Sequence, residues 1–272
     1  VCGQKSIMDM TDKAAILDLS QDDLKKLVAD WGEPAYRAAQ IEQWLYRQHI
    51  TDPLQMTSLP KRLRQRLADE CRVDPLSPLV SLDSTDGHTH KTLFALPDGR
   101  EIEAVLMRYE RRQTLCISTQ VGCAMDCPFC ATGQMGFMRN LTAGEIVAQV
   151  LYYARHLGRQ EKWVTNIVFM GMGEPLANYA ETWRAIRRLN DSQGFNLGAR
   201  NMTLSTVGLV PAIRRVSKSR SRWGWPSRCT RPPMRYATKL SPSTGATRWP
   251  CLWKPCAIIF GRRAGESPLN MR

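Results

Sequence analysis

The sequence has no run of about 18 apolar residues, the length a helix needs to cross a bilayer, so no transmembrane helix is expected. Its first residues, VCGQKSIMDMTDK, lack the charged-then-apolar layout of a secretory leader. The expected setting is therefore the cytoplasm, where nine cysteines do not make a disulfide framework. Histidine is scarce: His49, His88, His90 and His156 are scattered and read as structural or exposed. Acidic residues all but vanish late in the chain. From Ser217 onward there are 12 Lys/Arg and one acid, Glu266.

That last shortage changes the meaning of the net charge. The whole chain of 272 residues carries +13, which alone would suggest a nucleic-acid partner. Residues 1–216 hold 26 Lys/Arg and 24 acids, leaving only +2 there. The stretch from 217 also holds four of the eight Trp, three of the nine Cys and seven of the 16 Pro, and shows no helical or strand period. Two compositions meet near residue 217.

Before that junction the chain is legible. SQDDLKKLVADWG (20–32) predicts a helix capped by Ser20, with Leu24, Leu27, Val28 and Trp31 on one face and Gly32 ending it. AYRAAQIEQWLYRQ (35–48) and SLPKRLRQRLADEC (58–71) predict two more. Their Arg37, Arg47, Lys61, Arg62, Arg64 and Arg66 could meet phosphates or simply form a solvated face. HKTLFALPDGREIEAVLMRY (90–109) predicts a β-hairpin turning at Pro97-Asp98-Gly99. QTLCISTQVGC follows as a strand running into a cysteine loop. Thr142-Ala-Gly-Glu145 is a capping box opening a helix. TNIVFMGMGEPL is a buried strand ending in a glycine turn, YAETWRAIRRLND a helix, and NMTLSTVGL a third strand. This alternation predicts parallel βαβ units, whose chemistry gathers at the carboxyl ends of the strands. The cysteine loop, GMGEP and STVG all lie there.

The loop reads CAMDCPFC. A structural zinc site takes four ligands, usually as two pairs, whereas Cys123, Cys127 and Cys130 form one triplet. A [4Fe–4S] cluster normally takes four thiolates, so three would leave one iron open. The C-x3-C-x2-C spacing, with Phe129 before the last cysteine, is the signature of radical S-adenosylmethionine (SAM) enzymes. Read without that signature, Cys116 is a small core residue, Glu103 part of a solvated strand face, and Gly173 a turn residue. Cys2 and Cys71 have no assigned part.

TLCISTQVGCAMDCPFCATGQMGFMRNLTAGEIVAQV, NIVFMGMGEPLANY and NMTLSTVGLVP together resemble the dual-specificity adenine-C2 methyltransferases of ribosomal and transfer RNA. YRAAQIEQWLY and MTSLPKRLRQRL resemble the accessory domain of that family. The resemblance covers about residues 15–216. It implies a partial (β/α)6 barrel of α/β class, of which three βα units are legible, and a small helical N-terminal domain. The division expected is 1–87 accessory, 88–216 barrel and 217–272 outside it. The implied substrates are one adenine of 23S rRNA at the peptidyl transferase centre and adenosine 37 of transfer RNA, methylated from two SAM through a methyl-cysteine. A flavodoxin-type electron donor and a cytoplasmic monomer with no membrane contact go with this. By motif, Cys123, Cys127 and Cys130 bind the [4Fe–4S] cluster. Gly173, Glu174 and Ser205 contact SAM. Glu103 accepts the C2 proton, and Cys116 assists proton removal and product release. Radical chemistry suits the target, since adenine C2 is electron-poor and cannot displace a methyl group from SAM as a nucleophile. A non-catalytic RNA-binding module with a zinc-stabilised loop is the alternative. A radical SAM enzyme of other specificity fits Cys116 and the accessory domain less well.

The family's methyl-carrying cysteine, its Ser-Leu-His SAM contact and a later Asn contact have no match here. A six-unit barrel of roughly 30 residues per unit needs roughly 180 after Thr114, and about 100 are legible. This chain is therefore expected not to complete methyl transfer. The tail reads as a frameshift. Codons for WPSRCTRP (225–232), begun one base earlier, can encode Leu-Ala-Ile-Ser-Leu-His-Ala-Pro. TKLSPSTGATRW (238–249) and GESPLNM (265–271) give family-like sequence in the same shifted frame. The tail is expected to be disordered and to leave the last strand without a neighbour.

Overall fold

The computed structural model describes residues 13–219, 227–230 and 256–260. Strand β1 (Ala14–Ala15) comes first. Ser20 then caps α1 (Gln21–Asp30): its hydroxyl accepts the Asp23 N–H at 3.1 Å, and the Asp23 carboxylate accepts the Ser20 N–H at 3.2 Å. Helix α1 buries Leu24 and Val28. Helix α2 (Tyr36–Tyr46) buries Ala38, Ile41 and Leu45, and α3 (Lys61–Glu70) buries Leu63 and Leu67, so three apolar stripes meet in one small core. Strand β2 (Cys71–Arg72) pairs in parallel with β1 and closes this unit on itself.

The chain then makes an antiparallel meander of β3 (Ser77–Asp83), β4 (Thr89–Ala95) and β5 (Glu101–Arg108). The predicted turn is present: Gly99 donates to the Leu96 carbonyl at 2.9 Å and takes φ +78°, which suits glycine. Strand β6 (Gln113–Cys116) ends earlier than expected. A separate strand β7 (Gln120–Gly122) leaves the main sheet and, beyond the short α4 (Ala131–Gln134), pairs with β8 (Phe137–Asn140). Helix α5 (Ala143–Gly158) starts at Thr142 in the expected capping box with Glu145. Then come β9 (Asn166–Phe169), α6 (Tyr179–Asn190), β10 (Met202–Thr206) and α7 (Val210–Ser219).

Strands β6, β9 and β10 lie side by side and parallel, as the βαβ reading requires. The eight-stranded sheet also includes β11 (Ser227–Thr230) and β12 (Cys256–Phe260), and runs β11-β12-β10-β9-β6-β5-β4-β3. It is an open mixed sheet; barrel closure does not occur among the described residues. Two expectations need correction. The edge of β10 has a neighbour, because Cys256–Ile259 pairs with it antiparallel, where the next barrel strand would be parallel. Ser227–Thr230 and Cys256–Phe260, expected to be disordered with the rest of the tail, are strands that satisfy each other's backbone groups. The remainder of the expected disorder lies outside the described residues.

Alternation along the strands sorts the side chains into two faces. Ile102, Ala104, Leu106, Leu115, Ile167, Phe169 and Leu204 are buried beneath α5 and α6. Glu103, Val105, Cys116, Val168, Thr203 and Ser205 share the opposite, half-buried face. The first unit is locked to the second by charge. Arg188 meets Glu42 at 3.0 Å, Arg155 meets Asp74 at 2.7 Å, and the Asp18 carboxylate accepts the Gly144 N–H at 2.7 Å.

Candidate active site

Three loops converge at the carboxyl ends of the parallel strands. The cysteine loop hangs from the β7–β8 ribbon. Its neck is closed by the Cys123 N–H donating to the Gly136 carbonyl at 3.0 Å. Gly122, at φ +73°, has no room for a side chain: a Cβ would lie 1.8 Å from the Gly136 oxygen. Inside the loop Cys130 donates to the Cys127 carbonyl at 2.9 Å, which starts the turn of α4. Cys123, Cys127 and Cys130 are all half-buried free thiols.

The glycine turn after β9 packs against the loop's stem. Gly171 donates to the Ile117 carbonyl at 3.1 Å, and Met172 donates to the Ser118 hydroxyl at 2.8 Å. Glu174 is buried, and each carboxylate oxygen accepts one backbone N–H, from Leu176 at 2.9 Å and from Val207 at 2.8 Å. The second bond ties GMGEP to the STVG loop. Burial raises the Glu174 carboxyl's pKa, and those N–H donors partly offset it. A carboxylate has about four acceptor positions, so Glu174 keeps capacity for a cationic ligand.

The thiols and Glu174 are close enough to act on one another. Burial raises the Cys123 thiol most, and the charges of Glu174 and Cys130 raise it further. Cys127 is raised by burial and then by Cys123, Cys130 and Glu174. An iron–sulfur cluster spreads its thiolates over several irons, and three thiols from one short loop can each supply a ligand to a separate iron.

Cys116 and Glu103 lie on the half-buried face below these loops. Cys116 stands between Val105 of β5 and Val168 of β9. Burial pushes its thiol up to about 11, with the Met170 N–H partly offsetting. It is a protonated thiol at neutral pH. The Glu103 carboxylate pairs with the Lys91 ammonium at 2.6 Å, both side chains being 42% exposed. Its carbonyl accepts the Ser118 hydroxyl at 2.6 Å. Ser205 shares the face from β10.

Two residues that sequence reasoning passed over hold these parts together. Ser118 links Glu103, Met172 and the fully buried Gln149, which both donates to and accepts from its backbone. Gln120 links the loop's stem to Glu174. Neither stands out by spacing. Of the proposed phosphate contacts, Arg37 bonds Gln40, Arg47 the Ser192 carbonyl, Arg64 the Leu54 carbonyl and Arg66 Glu70. Those four serve the fold, which leaves Lys61 and Arg62 as candidates. No helix among the described residues is long and apolar enough to cross a membrane.

Comparison with known proteins locates two families on the chain. Residues 14–73 match the ribosomal RNA large subunit methyltransferase N-terminal domain, and residues 117–221 match the radical SAM superfamily. A probable dual-specificity RNA methyltransferase RlmN of Roseiflexus castenholzii is 46% identical over 237 residues, covering 74% of this chain and 59% of that protein. One from Chloroflexus aurantiacus is 48% identical over 222 residues, covering 77% and 57%. A radical SAM methyltransferase from Sphaerobacter thermophilus, known from its crystal structure, superposes with a TM-score of 0.73 at 51% identity, covering 75% of this chain and 60% of that one. The chain thus spans about 60% of the length of these relatives.

Proposed function

Since this chain belongs to the RlmN family of radical SAM dual-specificity RNA methyltransferases, we propose that its described residues form the accessory unit and cofactor-binding half of an enzyme that methylates adenine C2 in ribosomal and transfer RNA. The observation that carries this reading is the meeting of the cysteine loop with Glu174 and Val207, above a face bearing Glu103, Cys116 and Ser205. In this reading residues 1–87 serve as the accessory domain and 88–216 as the first part of the catalytic sheet. A flavodoxin-type donor and a cytoplasmic monomer complete it.

Cys123, Cys127 and Cys130 would hold a [4Fe–4S] cluster as thiolates, and that cluster would supply the electron that cleaves SAM. The backbone at Gly173 and the remaining acceptor capacity of Glu174 receive the ammonium of SAM, and Ser205 contacts it from β10. Burial keeps the Cys116 thiol protonated, so it holds a proton until a late step requires its sulfur. Glu103, paired with Lys91, accepts the proton from adenine C2. Lys61 and Arg62 on α3 face phosphate.

Anaerobic reconstitution tests the reading. The chain should take up about four irons with matching sulfide and turn brown. Uptake of zinc without sulfide would instead support the RNA-binding alternative. No residue here matches the family's methyl-carrying cysteine, so this chain should leave incubated RNA free of 2-methyladenosine. Mass spectrometry that finds 2-methyladenosine would refute that part.

A further inference from the structure

We propose that Gln120 is a positioning residue that fixes the SAM-binding turn against the stem of the cysteine loop, a role that rests on the reading above. Gln120 opens β7, three residues before Cys123, and is 2% exposed. Its side-chain amide works in both directions. Oε1 accepts the Glu174 N–H at 2.8 Å, and Nε2 donates to Asn140 Oδ1 at 2.8 Å. Asn140 stands directly opposite Gln120 in the β7–β8 ribbon. The Glu174 carboxylate in turn accepts the Val207 N–H. One line of hydrogen bonds therefore runs from the loop's returning strand, through Gln120, to the glycine turn and on to the end of β10.

Gly173 completes the fit. It has φ +96°, and a Cβ there would lie 2.5 Å from Gln120 Cβ and 2.7 Å from its Cγ. The stem of Gln120 fills the space that a side chain at 173 would need. A ligand that must touch both the cysteine loop and the glycine turn is held well only if those two parts keep a fixed separation. Met has the reach but no hydrogen bonds, and Asn is one methylene short.

The test uses the full chain and three variants, Gln120→Met, Asn140→Leu and Asn140→Asp. In the metal-free protein, Gln120→Met should speed hydrogen exchange of the Glu174 amide about tenfold or more, leaving the amides of α1 unchanged. After anaerobic reconstitution, Gln120→Met and Asn140→Leu should carry as much iron and sulfide as the parent. They should bind SAM about tenfold more weakly and lose the change that SAM makes in the electron paramagnetic resonance spectrum of the reduced cluster. Asn140→Asp keeps the acceptor and should stay within about threefold of the parent. If Gln120→Met does not fold, the Asn140 pair reads the same bond from its exposed end. Parent-like exchange at Glu174 with unchanged SAM affinity would overturn the proposal. So would Asn140→Asp behaving like Asn140→Leu. A parent that takes up no iron, yet shows a Glu174 amide released by Gln120→Met, supports the positioning and sinks the methyltransferase reading instead.

Discussion

Gly173 is held to glycine twice, by its φ of +96° and by the Gln120 side chain against it. Gly173→Ala should destabilise the chain by about 1–3 kcal/mol, the range for one residue in a sparsely populated conformation. It should also weaken SAM binding; a variant with parent-like urea midpoint and SAM affinity would refute both constraints. His156 offers a test by pH. Burial lowers its pKa most, and His90, stacked at 4.9 Å, and Arg108, at 3.3 Å from Nε2, lower it further. Between that lowered value and 6.5 the unfolded chain binds more protons than the folded one. The stabilising contribution is thus complete above 6.5 and lost as pH falls through the folded value. His49, lowered by burial and Arg155, acts in the same sense. Taking the chain from about pH 7.5 to about pH 5.5 should lower the urea midpoint by a few tenths molar, and less in His156→Gln, which can still accept from Arg108. An identical drop in both would remove His156 from the account.

Helix α5 shows how one element can serve both fold and site. Thr142 accepts the Glu145 N–H at 3.1 Å, and Glu145 holds Arg139 of β8 through two bonds of 2.8 and 2.9 Å. Arg139 also reaches Asp98 in the β4–β5 turn at 2.6 Å. The helix start therefore anchors both the cysteine loop's stem and the hairpin. Thr142→Ala should cost about 1 kcal/mol in chemical denaturation, and a loss near zero would show that Asp18 and Glu181 suffice as caps. This helix was legible because its cap and its apolar period agree. Strand β3 was not: all seven of its positions are exposed, and a register shift between Pro78 and Val80 breaks the alternation. The β7–β8 ribbon was hidden because β7 continues the residues of β6 without a turn signal. The cysteines and the glycine turn could be read from spacing. Gln120 and Ser118 could not, since their partners are fixed by register between distant segments.

Across the whole molecule the sheet has two different edges. One ends in β3, which exposes Leu79, Val80 and Leu82. An apolar edge with unpaired backbone groups invites another chain. Leu82→Lys should slow aggregation without lowering the unfolding midpoint; an unchanged rate in light scattering would place the sticky surface elsewhere. The other edge is β11, and β10 lies two strands inside it, paired with β12 and β9. Between these edges the cysteine loop stays outside the packed layers. Its neck is pinched by the 3.0 Å bond from Cys123 to Gly136 and by a glycine that tolerates no added atom. The sheet beneath it is complete without any contribution from residues 123–136. The loop is thus an appendage to the fold and not one of its supports: what it holds can change while the sheet beneath keeps its pairing.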